Sequence, residues 1–353
     1  MSSTKAYRRL ALAIGKVFIY LGQHGIKATS TRIVQKLKKS TELDKEGMNE
    51  YQSIEKKEKH TRLITNFHEY DEFIRKVIQL EFYGKPIKEC LVEHRLDFLS
   101  FVKFFGSSPP DCDPFSQEYA DWEISFFNFL AGKEYDSQSE GYQICDLEWL
   151  MNQPPTINMD ITTRMQGMKT YTDLLEVCKP TQDMSVLEMG SGLGNLLELF
   201  GRCGCNVTGV EASEGSSTYA RQVLSAQNIK NEIIKGTFYD IEFTNSLFDI
   251  IIFERAFNHC GEPLRLLNIL NKKLSKDGKL LFLNEPIEPV FERPWGVVRY
   301  DGESAMQIRR RGWLELGYRL DFFEELLRRT GFILQNSHTT PDGGMLHVAV
   351  INE

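Results

Sequence analysis

Apolar residues recur at three- and four-residue steps in "HEYDEFIRKVIQLEFYG", "VEHRLDFLSFVKFFG" and "YADWEISFFNFLAG", and each stretch ends at a glycine. That spacing gathers the apolar side chains on one helical face, and glycine ends the helix. "SSPPDCDP" separates the second helix from the third, and "NQPPT" closes the region. After a further helix, "RMQGMKTYTDLLEVC", the rhythm changes. Short apolar runs follow: "MSVLEMG", "CNVTGVEA", "NEIIKG", "FDIIIFE" and "GKLLFLNEP". Amphipathic segments separate them, among them the helix "PLRLLNILNKKLS". Strands alternating with helices predict a parallel sheet covered on both faces. The end differs. "FILQNSHTT" and "MLHVAVIN" flank "PDGG", which predicts an antiparallel hairpin.

Three regions result, without an internal repeat. Residues 1–45 form a basic helical arm, broken near Gly22 and Gly25. Residues 46–159 are mostly helical, and residues 160–353 are the α/β part.

Charge sharpens the first boundary. Nine basic residues precede the first acidic one, Glu42, so the rest of the chain carries −16 of a net charge of −7 overall. A basic, partly apolar N-terminus on an acidic body suits an anionic surface, whether membrane, glycan or acidic partner, or else a solvated helical arm. The acidic body argues against nucleic acid. No apolar stretch approaches about 18 residues, so a spanning helix is not predicted. Seven cysteines without paired CxxC spacing read as free thiols in a reducing cytoplasm. No acidic cluster has metal-ligand spacing, so no metal is expected.

The chemistry-bearing stretch is "VLEMGSGLGN", which follows the first strand and opens a helix. Gly190, Gly192 and Gly194, with Ser191 between, let backbone approach a ligand at the sheet's carboxyl edge. Glu211 follows Gly194 by 17 residues, where a carboxylate can accept both ribose hydroxyls of an adenosine. NAD, FAD and S-adenosylmethionine (SAM) all use such a turn. The GxGxG spacing, Glu188 just before it and the terminal antiparallel hairpin favour SAM. A buried carboxylate needs a cation, which SAM carries as an ammonium, whereas a pyrophosphate would be repelled.

"VLEMGSGLGN", "VTGVEAS" and "FDIIIFERAFNHC" together resemble successive motifs of class I SAM-dependent methyltransferases. The resemblance covers residues 160–353. It implies a Rossmann-like seven-stranded sheet of order 3-2-1-4-5-7-6 with the last strand antiparallel. It implies SAM as cofactor, with Glu188, Gly190, Ser191, Gly192 and Gly194 at the methionine part. Glu211 would hold the ribose, Ala212 would lie by the adenine, and Phe253 would also border the cofactor. "GTFYD" matches the adenine-bordering segment, but the family often has Asp where this chain has Thr237. Phe238 and Tyr239 could stack there instead.

Methyl transfer to an alcohol needs alignment and removal of a proton. His259, just beyond the fourth strand, is either the general base or a residue that holds the strand's end. Glu254 and Glu285, at strand ends, are rival catalytic candidates, or partners of a salt bridge. The long segment after Glu285 carries Trp295, Arg299, Tyr300, Asp301, Glu303 and Trp313. Flat rings with planar polar groups suit a polyhydroxylated acceptor, and an insertion or dimer contact is the plainer reading.

"YADWEISFFNFLAGKEYD", "NQPPT", "RPWGVVRYDGES" and "RRRGWLELGY" also resemble methyltransferases found alone or fused to glycosyltransferases in bacterial surface-polysaccharide assembly. That likeness implies a cytoplasmic sugar O-methyltransferase. It could also meet the inner membrane face or glycan-assembly proteins through its basic N-terminus. Two other functions remain: methylation of a small lipophilic metabolite, and a non-catalytic SAM-fold interaction module.

Overall fold

The computed structural model describes residues 110–141, 161–298 and 302–352, together with Glu72 and Arg75. The basic arm, the two earlier helical patterns, "NQPPT" and the candidates Arg299, Tyr300 and Asp301 lie outside these residues, as does the Glu303 side chain.

Helix α1 spans Gln117–Ala131. Ser116 caps it by accepting the Tyr119 N–H at 3.2 Å, and Gly132, at φ 67°, ends it. Left-handed backbone there is open to glycine at little steric cost. Helix α2 is Ile161–Cys178. The sheet follows: β1 Ser185–Met189, β2 Asn206–Glu211, β3 Asn231–Lys235, β4 Phe248–Glu254 and β5 Leu274–Leu283. Helices α3 (Asn195–Arg202), α4 (Glu214–Ala226) and α5 (Pro263–Asn271) connect these strands.

The long segment after β5 builds a separate three-stranded sheet. It comprises β6 Ile287–Glu288, β7 Trp295–Gly296 and β8 Gly317–Arg319, with α6 (Gly302–Arg311) between the last two. Helix α7 (Leu320–Arg329) then leads to β9 Phe332–Thr339 and β10 Met345–Ile351.

The main sheet has the order β3-β2-β1-β4-β5-β10-β9. Strand β10 runs antiparallel to both β5 and β9. This is the expected seven-stranded order, and the "PDGG" hairpin forms as expected. One boundary differs: α5 stops at Asn271 and β5 begins at Leu274, because Leu274 pairs with Phe248 at the start of β4.

Each face of the sheet is covered. Leu187, Ile251, Phe253 and Phe282 share one core with Leu266 and Leu267 of α5 and Phe323 and Leu327 of α7. Val186, Ile250 and Ile252 face the other, with Leu174 of α2, Leu197 and Phe200 of α3 and Leu224 of α4. Each such side chain contributes about 1.5–3 kcal/mol of burial. Helix α1 belongs to the first core through Phe126, Phe127 and Leu130. It is latched there by Glu123, which is 1% exposed and accepts from Arg293 Nη1 at 3.2 Å and from the Val297 N–H at 3.1 Å. Helix α1, upstream of the sheet, is thus part of the sheet's packing.

Candidate active site

The turn after β1 is drawn against β2: the N–H groups of Gly190 and Ser191 both donate to Val210 O, at 2.8 and 3.0 Å. Gly190, Gly192 and Gly194 have φ values of 74°, 51° and 80°. At Gly190 the demand is steric as well, because a Cβ would stand 2.7 Å from Ala256 Cβ. At Gly192 a Cβ would meet nothing within 4 Å, so that wall opens on free space.

That space is a cavity of about 250 Å³. Gly190, Gly192, Glu211, Ala212, Thr237 and Phe238 line one side. Glu211 is 6% exposed, and its two oxygens accept from the N–H groups of Gly192 and Ser213, each at 2.8 Å. A carboxylate has about four acceptor positions, so two remain for ligand hydroxyls. Burial raises its pKa, and the two N–H groups oppose the shift. Thr237 gives both its N–H and its hydroxyl to Asp240, so its side chain caps the turn over Phe238–Phe243.

Glu188 lies behind the turn, 4% exposed, with Oε2 lacking a hydrogen-bond partner. Its pKa is raised well above the usual range, first by burial and then by the charge of Glu254. The Ser191 hydroxyl is likewise buried and unpartnered. Glu254 takes the Tyr171 hydroxyl at 3.3 Å on both oxygens, and burial raises its pKa too. Carboxylates packed this way call for a cation. SAM supplies an ammonium and a sulfonium, and its ribose supplies two hydroxyls for Glu211, so the residues fit that cofactor.

The opposite wall holds His259, Trp313, Tyr135, Ser137 and Glu140. His259 ends a short 3-10 turn, Phe257–His259, and packs edge-on against Trp313 with ring centroids 5.7 Å apart. Its Nδ1 lies 3.1 Å from Glu140 Oε2, at ion-pair distance but poorly aligned for a hydrogen bond. Burial pulls the His259 pKa down, but Glu140, with Glu315 and Glu285 behind it, outweighs this and lifts it to about 9. The other Glu140 oxygen accepts the Leu314 N–H at 2.9 Å. Glu140 sits in the turn Ser137–Gly141, which packs so closely on the segment just after β2 that a Cβ at Gly141 would stand 2.6 Å from Ala212 O.

Several expected site residues have other duties. Glu285 is 5% exposed and caps the turn that carries His259. Its oxygens accept the N–H groups of Ala256 at 2.7 Å, Phe257 at 3.0 Å and Asn258 at 3.2 Å. Burial lifts its pKa to about 7 against those three bonds. Phe253 is fully buried and stacks on Phe282 at 5.4 Å, so it belongs to the core and not to the cavity wall. Trp295 is 3% exposed and gives its indole N–H to Pro114 O at 2.8 Å, which leaves little of it for an acceptor. Tyr135, Ser137 and Glu140 were not anticipated. Their only trace in the sequence is an acidic, aromatic stretch, "KEYDSQSEG", after a helix. Among the described residues no His, Cys, Asp and Glu group could hold a metal ion.

A glycine turn after the first strand, a carboxylate ending the second, and a sheet with an antiparallel penultimate-position strand define the class I methyltransferase fold. Residues 163–335 match the family model described as a methyltransferase domain. Those residues are thus similar to a methyltransferase domain, and SAM is the cofactor that their site takes.

A sarcosine/dimethylglycine N-methyltransferase of Halorhodospira halochloris is 27% identical over 153 residues, 42% of this chain and 52% of that protein. An uncharacterised methyltransferase of Bacillus mycoides is 32% identical over 114 residues, 32% of this chain and 52% of that one. Among solved structures, the CcbJ methyltransferase of Streptomyces caelestis aligns at 15% identity and a TM-score of 0.45, over 62% of this chain and 100% of that one. The chain spans about half the length of the two curated relatives named here.

Proposed function

We propose that the protein transfers the methyl group of SAM to a hydroxyl of a saccharide, on a glycan or a glycan precursor. The observation that carries this reading is the Glu140–His259 pair beside Trp313 on the wall facing the cofactor side. SAM, when bound, supplies a methyl already activated by its sulfonium. The chain's task is alignment and proton removal. Glu188 and Glu254 hold the positive end, and Glu211 holds the ribose. Bound there, SAM would supply the methyl carbon to the acceptor oxygen and would keep the carbon–sulfur electron pair on its sulfur. The hydroxyl proton leaves to His259 in its neutral form, and Glu140 stabilises the resulting imidazolium.

The curated relatives include an enzyme named for sarcosine and dimethylglycine. A neutral amine attacks without first losing a proton, whereas a hydroxyl needs a base, so the Glu140–His259 pair favours a hydroxyl here. The nine basic residues of the N-terminus support contact with an anionic surface, such as the inner membrane face or a glycan-assembly partner. Among the described residues no helix is long and apolar enough to cross a membrane.

The test incubates purified protein with labelled SAM and a set of nucleotide sugars, glycans and phenols, then locates the methyl by mass spectrometry. A methyl ether on a sugar is expected. Labelled phenol would move the reading to a lipophilic metabolite. Absence of SAM binding would leave a non-catalytic interaction module.

A further inference from the structure

Across Arg255 from the cofactor cavity lies a second cavity of about 460 Å³, and Arg255 lines both. We propose that this second cavity is the acceptor site and that it takes a sugar ring. Glu288 and Asp342 accept its hydroxyl hydrogens, Arg255 and Asn284 donate to its oxygens, and Phe291 covers an apolar ring face. The proposal rests on the sugar-methylating reading above and adds the place and the residues.

Position is the first argument. The cavity opens over the carboxyl ends of β4, β5 and the β9–β10 hairpin, beside the cofactor wall at Arg255 and Ala256. Arg255 is common to the two cavities, and His259 lines the first.

Backbone is the second. Arg255 and Asn284 follow the paired ends of β4 and β5, and both adopt left-handed backbone, at φ 50° and 57°. For arginine that conformation costs on the order of 1 kcal/mol and needs support from its surroundings. The Arg255 N–H donates to Leu283 O at 3.1 Å and the Asn284 N–H to Met345 O at 2.8 Å. The result is that both side chains stand on the cavity wall.

Chemistry is the third. Asn284 Nδ2 donates to Asp342 Oδ2 at 3.0 Å, while Thr340 Oγ1 donates to Asp342 Oδ1 at 2.6 Å. The Asp342 N–H donates to Thr170 Oγ1 of α2 at 3.2 Å. The hairpin turn is thereby fixed, and a Cβ on Gly344 would strike Asn284 Oδ1. The Arg255 guanidinium is 3.7 Å from Asp342, within ion-pair reach and beyond a hydrogen bond, so it retains donors for a ligand. Glu288 is exposed and Phe291 half-buried. Donors, acceptors and one ring on a fixed frame suit a polyol. A larger cavity, about 580 Å³, adjoins the adenine-facing end through Thr237 and Tyr239. Phe115, Ile124, Leu264 and Phe322 make its walls mainly apolar, which would suit a lipophilic acceptor instead.

The experiment uses the full chain saturated with S-adenosylhomocysteine. Saturation-transfer NMR is run with the methyl glycosides of glucose, galactose, mannose and rhamnose, and with sarcosine and p-nitrophenol. Ring protons of at least one glycoside are expected to receive saturation. Glu288→Gln and Phe291→Ala should each weaken that glycoside about tenfold, about one charge-assisted hydrogen bond or one ring contact. Calorimetric affinity for S-adenosylhomocysteine should stay within about twofold in both variants, which also reports that they fold. Three results overturn the proposal while the methyltransferase reading stands. These are no glycoside signal on cofactor-bound protein, glycoside binding that both variants leave unchanged, and a signal from sarcosine or p-nitrophenol alone. Failure of S-adenosylhomocysteine to bind brings down the methyltransferase reading itself, and the proposal with it.

Discussion

The two walls of the main cavity are built in opposite ways. The wall of Gly190, Gly192 and Glu211 comes from one strand–turn–helix–strand unit, and its polar contacts run over short distances along the chain. The wall of His259, Glu140 and Trp313 is drawn from three distant segments and is held by contacts such as Glu140 to Leu314 N–H, 174 residues apart. A common ligand portion can be met by a local motif, because strand, turn and helix bring its partners together unaided. A wall that must suit a particular acceptor is free to recruit from anywhere. The difference therefore predicts that cofactor binding and acceptor turnover separate on mutation.

The hardest test of that separation is His259→Ala. Turnover should fall by about 10²–10⁴, the usual worth of a general base, while affinity for S-adenosylhomocysteine hardly changes. Equal turnover would remove His259 from proton transfer. Next comes Glu211→Ala, on the other wall. It leaves the Gly192 and Ser213 N–H groups without their partner and removes the ribose contact. Affinity for SAM should fall about 10- to 100-fold, and wild-type affinity by calorimetry would reject the site.

A smaller effect is expected in the pH profile. Turnover that needs neutral His259 climbs with pH up to about 9. In Glu140→Gln the plateau should move to lower pH, because the carboxylate that raises the ring's pKa is gone. A profile identical to wild type would assign His259 a positioning role. The same pair affects stability. The folded pKa of His259 is raised above its ordinary 6.5 to about 9, so its contribution is complete below 6.5 and is lost as pH rises through 9. The melting-temperature gap between wild type and Glu140→Gln should therefore shrink from about pH 6 to about pH 10. The smallest effect on ligands is predicted for Trp295→Phe. It removes the indole bond to Pro114 O and should cost about 1–2 kcal/mol of stability in a denaturant titration. Turnover of the folded variant should be unchanged, and a large loss of it would place Trp295 back among the acceptor residues.

The strand runs around "VLEMGSGLGN" and "FDIIIFE" were legible because apolar runs, turn glycines and the terminal "PDGG" each carry a local signature. So was the acidic end of β2. Glu285 shows where that reading stops. A carboxylate at a strand end looks like a catalytic group, yet it accepts three backbone N–H groups and so holds His259's turn in place. Phe253 looked like a cofactor neighbour by its position, but the pleat turns it into the core against Phe282.

The sequence by itself determined the order of strands and helices, the glycine turn and the acid that ends β2, because each depends on residues within a few turns of chain. Only the tertiary structure decided which charges meet. Glu140 raises the pKa of His259 from a turn over 100 residues upstream, and Arg255 stands between the cofactor cavity and a second one walled by the segment after β5 and by the β9–β10 hairpin. Burial and through-space charge set those properties, and neither can be read from spacing along a chain.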